Sequence, residues 1–172
     1  ESRRMLKKET VPQLCTECHK TVLEGKHVHG PAATDCMACH KAHTADNARL
    51  LVKPGRELCL HCHTDVGKTI AGAVHPHPPA AGDCLACHTP HASDQVKALR
   101  AAPAALCSEC HKEVADSFKT AKHPHTPTTE GKACLNCHVA HGSANAKQLA
   151  GDPVKTCLEC HKQAIKVNQD RT

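Results

Sequence analysis

The sequence predicts one domain, residues 1–172, of short α-helices, turns and irregular loops with little or no β-sheet, organised around something other than its own side chains. Three observations carry that expectation. There is no Trp, no Tyr and a single Phe, Phe118, so the large side chains that dominate cores are missing. The hydrophobic fraction of 40% is largely Ala and Cys, which bury too little area to offset the entropy of ordering the chain. The alternation expected of half-buried strands is weak throughout, while Pro recurs between short apolar segments.

Self-similarity is the strongest organising signal. All 14 Cys fall in C-x-x-C-H pentapeptides: Cys15–Cys18–His19, Cys36–Cys39–His40, Cys59–Cys62–His63, Cys84–Cys87–His88, Cys107–Cys110–His111, Cys134–Cys137–His138 and Cys157–Cys160–His161. Two contexts alternate. The motifs starting at 36, 84 and 134 carry a further His three residues on; those starting at 15, 59, 107 and 157 do not. The chain therefore divides into paired repeats at about 15–58, 59–106 and 107–156, with a terminal half repeat, 157–172. His-x-His lies between the members of each pair, at 27–29, 75–77 and 123–125. Between pairs, ARLLVKP, VKALRAAP and AKQLAGDP suggest one or two helical turns that stop at Pro54, Pro103 and Pro153.

C-x-x-C-H is the attachment sequence of c-type haem. On one helical turn the two thiols and the imidazole share a side, so the thiols bond the porphyrin edge while the imidazole reaches the iron. Zinc sites and redox C-x-x-C pairs are the competing readings. Zinc would need C-x-x-C pairs to meet in twos, and seven is odd; a thioredoxin-like site needs a βαβ setting that is absent. His after every pair arises by chance on the order of 10⁻⁷ at this composition. The expectation is seven covalent haem c groups, with all 14 Cys as thioethers and His19, His40, His63, His88, His111, His138 and His161 as proximal iron ligands. The fold class is then a haem-organised multihaem cytochrome c.

Ten His remain for the opposite face of the irons, and bis-His is the default, since only Met5 and Met37 could give a Met ligand. His43, His91 and His141 follow a proximal His by three residues and so can reach only a neighbouring haem. His29, His77 and His125 are each followed by one residue and then Pro, or directly by Pro, and are expected distal ligands; His27, His75 and His123 are candidates. His61 and Met37 sit inside attachment loops and are not expected to ligate. No His follows the motif at 157–161, so its sixth ligand comes from upstream, from another subunit, or is absent; only this terminal haem is expected to be open.

The pattern C-x-x-C-H, His-x-Pro, C-x-x-C-H-x-x-H resembles the doubled-CxxCH family of multihaem cytochromes, over residues 15–161. "CHTPHAS" at 87–93, "CHVAHGS" at 137–143 and "HPPAAGDC" at 77–84 carry the resemblance. It implies low-spin bis-His haems stacked in a chain, a periplasmic or extracellular location, and electron transfer in anaerobic respiration. The doubled His-x-His departs from the family pattern.

Function classes narrow accordingly. The formal charge of +5 says little of partners, because haem propionates would bring the loaded protein to roughly −2 oxidised and −9 reduced. Nucleic-acid binding lacks aromatic residues for base stacking, and no apolar run reaches membrane-spanning length. An enzyme is not expected: there is no catalytic residue set, no C-x-x-C-K motif and no Tyr. Seven haems in a chain of roughly 16 Å radius of gyration lie on the order of 17 Å apart, so electrons hop between them. The expected partners are other redox proteins or an extracellular acceptor. The expected assembly is a homopolymeric filament in which a His of one subunit caps the seventh haem of the next; a discrete shuttle and an outer-membrane conduit subunit are the alternatives. The basic arm Arg3–Lys8 is expected to be solvated. The chain is expected to be exported, its leader removed.

Overall fold

A computed structural model describes residues 6–162. Met5, Arg3 and Arg4 lie outside the described residues. Short helices punctuate the chain: α1 Val11–Cys15, α2 Gly30–Thr34, α3 Gly55–Cys62, α4 Thr64–Gly72, α5 Pro78–Ala81, α6 Pro103–Ser108, α7 Lys112–Thr120 and α8 Pro153–Leu158. Among the described residues the one sheet has two strands, β1 His27–Val28 and β2 Ala92–Ser93, paired antiparallel. The fold class read from the sequence is the fold observed.

The prolines act differently from the sequence expectation. Pro12, Pro103 and Pro153 occupy the first turn of α1, α6 and α8, and Pro54 caps α3. A residue without an N–H suits a position whose N–H has no helical partner, so these prolines start helices rather than stop them. Each of the four helices carries the first Cys of a motif. At α1 a capping box reinforces the start: Thr10 accepts from the Gln13 N–H, and the Gln13 side chain accepts from the Thr10 N–H.

The segments before those prolines are not helical turns. Arg49–Leu50, Lys97–Ala98 and Lys147–Gln148 all have positive φ, between 53° and 61°. Two consecutive left-handed residues reverse the chain as a hairpin turn. The chain then runs back antiparallel along the preceding motif, pairing Leu51 with His40, Leu99 with His88 and Leu149 with His138. Left-handed geometry at non-glycine residues costs roughly 1–2 kcal/mol each, so its threefold recurrence marks a positional requirement.

Successive repeats are stitched by one recurring contact. β1 pairs with β2, with the His29 N–H donating to the His91 carbonyl at 2.8 Å. One repeat later, His75 and Ser143 exchange N–H···O bonds of 2.8 and 3.1 Å. The His-x-His segment of one repeat thus lies against the residues just after the second-type motif of the next. Both contacts are close: a Cβ on Gly142, at φ 125°, would stand 2.6 Å from the Ala73 Cβ.

A side-chain core is almost absent. Among the described residues Leu106 and Ala133 are the buried apolar side chains, Ser143 is the buried polar one, and no side chain is fully enclosed. The accessible surface is 13169 Å². A folded monomer of 18.4 kDa exposes roughly 8,200 Å². The polypeptide leaves open the surface that an ordinary domain would close against itself.

Candidate haem-binding site

All seven motifs share one local geometry. The N–H of each motif His donates to the carbonyl of the first motif Cys, at 2.9–3.0 Å. That single i→i+4 turn brings both thiols and the imidazole to one side, as the attachment chemistry requires. First-type motifs obtain the turn from the C-terminal ends of α1, α3, α6 and α8. Second-type motifs obtain it from 3₁₀ turns at Cys36–Ala38, Cys84–Ala86 and Ala133–Asn136. Asp35 and Asp83 cap two of these, each accepting from the N–H two residues on at 2.9 Å. In the third the Asn136 side chain ties the turn to Pro127, Glu130 and Lys132 instead.

Thiols of successive motifs are neighbours. The Cys36 thiol lies beside Cys15, Cys59 beside Cys84, and Cys107 beside Cys134. The second thiols adjoin in the alternate steps, Cys39 beside Cys62 and Cys87 beside Cys110. Motifs one to six therefore lie in chain order. Burial, and then the neighbouring thiol, pushes the Cys107 thiol up to about 11; burial and neighbours likewise raise Cys36 and Cys59. A raised thiol is a poor thiolate, which opposes the redox C-x-x-C reading. No three His, Cys, Asp or Glu among the described residues converge as a site for a bare metal ion.

The imidazoles meet in pairs. His29 faces His63, His40 faces His91, His77 faces His111, His88 faces His141, and His125 faces His161. Ring centroids are 5.9–6.3 Å apart and ring planes 19–27° from parallel. Every pair joins one motif His to one His outside the motifs, a sorting that ring stacking alone gives no reason for. Two nitrogen–metal bonds of about 2 Å, plus the depth of two imidazoles, span close to this distance. A haem iron fits between the rings.

Backbone carbonyls hold the rings in the right tautomer. Nδ1 of His40, His88 and His138 lies 2.8–3.0 Å from the carbonyl of Arg49, Lys97 and Lys147, the first left-handed residue of each hairpin. Nδ1 of His29 and His77 lies 2.9 and 2.8 Å from the carbonyls of Pro90 and Ala140. A carbonyl only accepts, so Nδ1 carries the proton and Nε2 is left free for iron. Here is the requirement that the left-handed residues meet. Burial first, then neighbouring imidazoles, lowers the pKa of His91 and His141, favouring the neutral form that ligates.

Comparison with known protein families matches the doubled CXXCH motif to residues 29–68, 77–116 and 125–166. The chain belongs to the doubled CXXCH motif family. Its motifs indicate covalently bound c-type haem and the electron transfer of a multihaem cytochrome c, and such cytochromes are typically exported. No curated protein matches the chain significantly. The family units in this cytochrome are phased one motif later than the division at 15–58, 59–106 and 107–156: each begins at a His-x-His second position and closes after a first-type motif. Each unit thereby encloses one facing pair, His29 with His63, His77 with His111, or His125 with His161.

The remaining expectations divide. Of the six expected distal ligands, His29, His77, His91, His125 and His141 each face a motif imidazole. His43 does not: it is exposed and faces no motif ring among the described residues. His27, His75 and His123 also face none; His27 and His75 sit in the antiparallel contacts between repeats. His61 and Met37 are surface residues of their loops. The terminal motif is not the open one, since His161 faces His125. His19 and His138 are the motif His without a facing ring among the described residues. The signal for the pairs was in the spacing: 34, 34 and 36 residues from His29, His77 and His125 to the motif His they face, and 51 and 53 from His40 and His88 to theirs.

Proposed function

We propose that this chain carries seven covalent haems in chain order and passes electrons along them, without transforming a substrate. The facing imidazole pairs carry the proposal: five irons are given two His each by this chain alone. The serial contact of thiols through motifs one to six supports a continuous row, in which neighbouring macrocycles nearly touch and electrons need no diffusing carrier. Low-potential bis-His ligation suits exchange with other redox proteins or an extracellular electron acceptor, in the periplasm or outside the cell. No helix among the described residues is long and apolar enough to cross a membrane.

The proposed assembly is an extracellular filament of copies joined end to end. The seventh haem does not call for a second subunit, because His125 faces His161 from within the chain. Support comes instead from two exposed segments of the repeat contact, 43–44 and 123–125, which are the complementary halves of a joint made twice inside the chain. A head-to-tail joint of unlike faces propagates rather than closes. Electron microscopy of the native holoprotein at high concentration is expected to show filaments; discrete particles alone would contradict the assembly and favour a shuttle or a conduit subunit.

A further inference from the structure

Two serines outside the motifs each join backbone segments that serve three different motif His. The backbone of Ser143 exchanges hydrogen bonds of 3.1 and 2.8 Å with His75, on the strand whose His77 faces His111. Its buried hydroxyl donates to the Leu149 carbonyl at 2.5 Å and accepts from the Asn145 N–H at 2.9 Å. Those bonds fasten the hairpin whose Lys147 carbonyl orients His138. Two residues before the serine, His141 faces His88. Ser93 repeats the arrangement one unit earlier. It pairs with His27 on the strand whose His29 faces His63. Its hydroxyl donates to the Leu99 carbonyl and accepts from the Gln95 N–H at 2.9 Å, on the hairpin that orients His88. Two residues before it, His91 faces His40.

The hairpin by itself does not need the serine. In the first paired repeat the corresponding residue is Ala45, and the same left-handed turn forms there at Arg49–Leu50. The Asn47 amide holds the Leu51 carbonyl in that hairpin, at 3.1 Å. His43, two residues before Ala45, faces no motif ring among the described residues. The hydroxyl is therefore found where a segment both holds a His-x-His strand and delivers a facing His, and not where only the hairpin is built.

We propose that Ser93 and Ser143 are positioning residues for electron transfer, each locking the axial imidazoles of three consecutive haems into one fixed arrangement. Ser93 governs the haems on His40, His63 and His88; Ser143 governs those on His88, His111 and His138. The inference rests on the haem reading of the motifs. Each serine acts through the backbone that bears the ligands, in the way outer hydrogen bonds set the orientation of metal-bound imidazoles. Without the hydroxyl, a carbonyl and an N–H at the joint each lose a partner, and the hairpin is freed to shift against the strand. The two trios overlap at the haem on His88, so the two serines together span motifs two to six.

The test is NMR of the haem methyl groups in ferric holoprotein, whose hyperfine shifts follow the planes of the axial imidazoles. Ser143→Ala is expected to shift the methyl resonances of the haems on His88, His111 and His138 and to leave the other four in place. Ser93→Ala is expected to shift those on His40, His63 and His88, so that one haem responds to both variants. No movement, movement confined to part of a trio, or movement spread along the whole row overturns the proposal. If a variant loses its haems, native-state hydrogen exchange of the unaltered holoprotein decides instead. The His75 and Asn145 amides, one on the strand and one on the hairpin, should then share one protection and open together; independent opening overturns the proposal. A preparation that lacks the seven haem masses would show no such resonances, and would overturn the haem reading itself.

Discussion

Made without haem attachment, the chain is expected to be unfolded. The described residues offer Leu106 and Ala133 as buried apolar side chains, and the accessible surface of 13169 Å² exceeds that of a folded monomer of this mass by more than half. Ordering the backbone costs about 1–2 kcal/mol per residue. Two-residue strands, helices of at most nine residues and exposed ion pairs such as Lys68–Asp65 and Lys119–Asp116 cannot offset that. Porphyrin faces are the apolar bulk that remains, and each would also join distant parts of the chain, as between His29 and His63. Far-UV circular dichroism of the chain produced without haem attachment should show coil and no cooperative thermal transition, whereas the holoprotein should melt cooperatively. A cooperative transition in the haem-free chain would contradict the account.

The second large effect is on electron flow. His77 faces His111 and is oriented by the Ala140 carbonyl, so His77→Met should exchange a bis-His for a His/Met haem at the fifth position of the row. Axial ligands set haem potentials over about 0.8 V, and Met is the ligand that raises them. A rise on the order of 0.2 V at one haem is expected. Each 59 mV is tenfold in a one-electron equilibrium, so the raised haem would hold its electron roughly 10³-fold more firmly than its neighbours and slow transfer past it. A redox titration should show one haem displaced upward and the others unmoved, with slower end-to-end reduction. Unchanged potentials would mean that His77 is not an iron ligand.

The sequence made the attachment chemistry legible because it is local. Two thiols and an imidazole within five residues need only one helical turn, and every motif forms it. The facing pairs were less legible. His29 reaches His63 through a strand contact with the next repeat, and no local periodicity announces that. The recurring spacing of 34, 34 and 36 residues does, once the repeat is phased from His29 instead of Cys15. Left-handed residues such as Lys97 and Ala98 were hidden for another reason. Neither is a glycine or asparagine, so turn chemistry gave no warning, and their geometry is set by the carbonyl that His88 requires. Proline was visible but ambiguous: Pro54, Pro103 and Pro153 punctuate the chain equally well as helix ends or helix starts, and the following Cys decides for starts.

The intact mass of the denatured, reduced protein from its native source tests the central claim most directly. The account predicts the mass of the polypeptide plus seven haems, with none of the 14 Cys available to a thiol reagent. A mass equal to the polypeptide alone, with those sulfurs free to react, would contradict it.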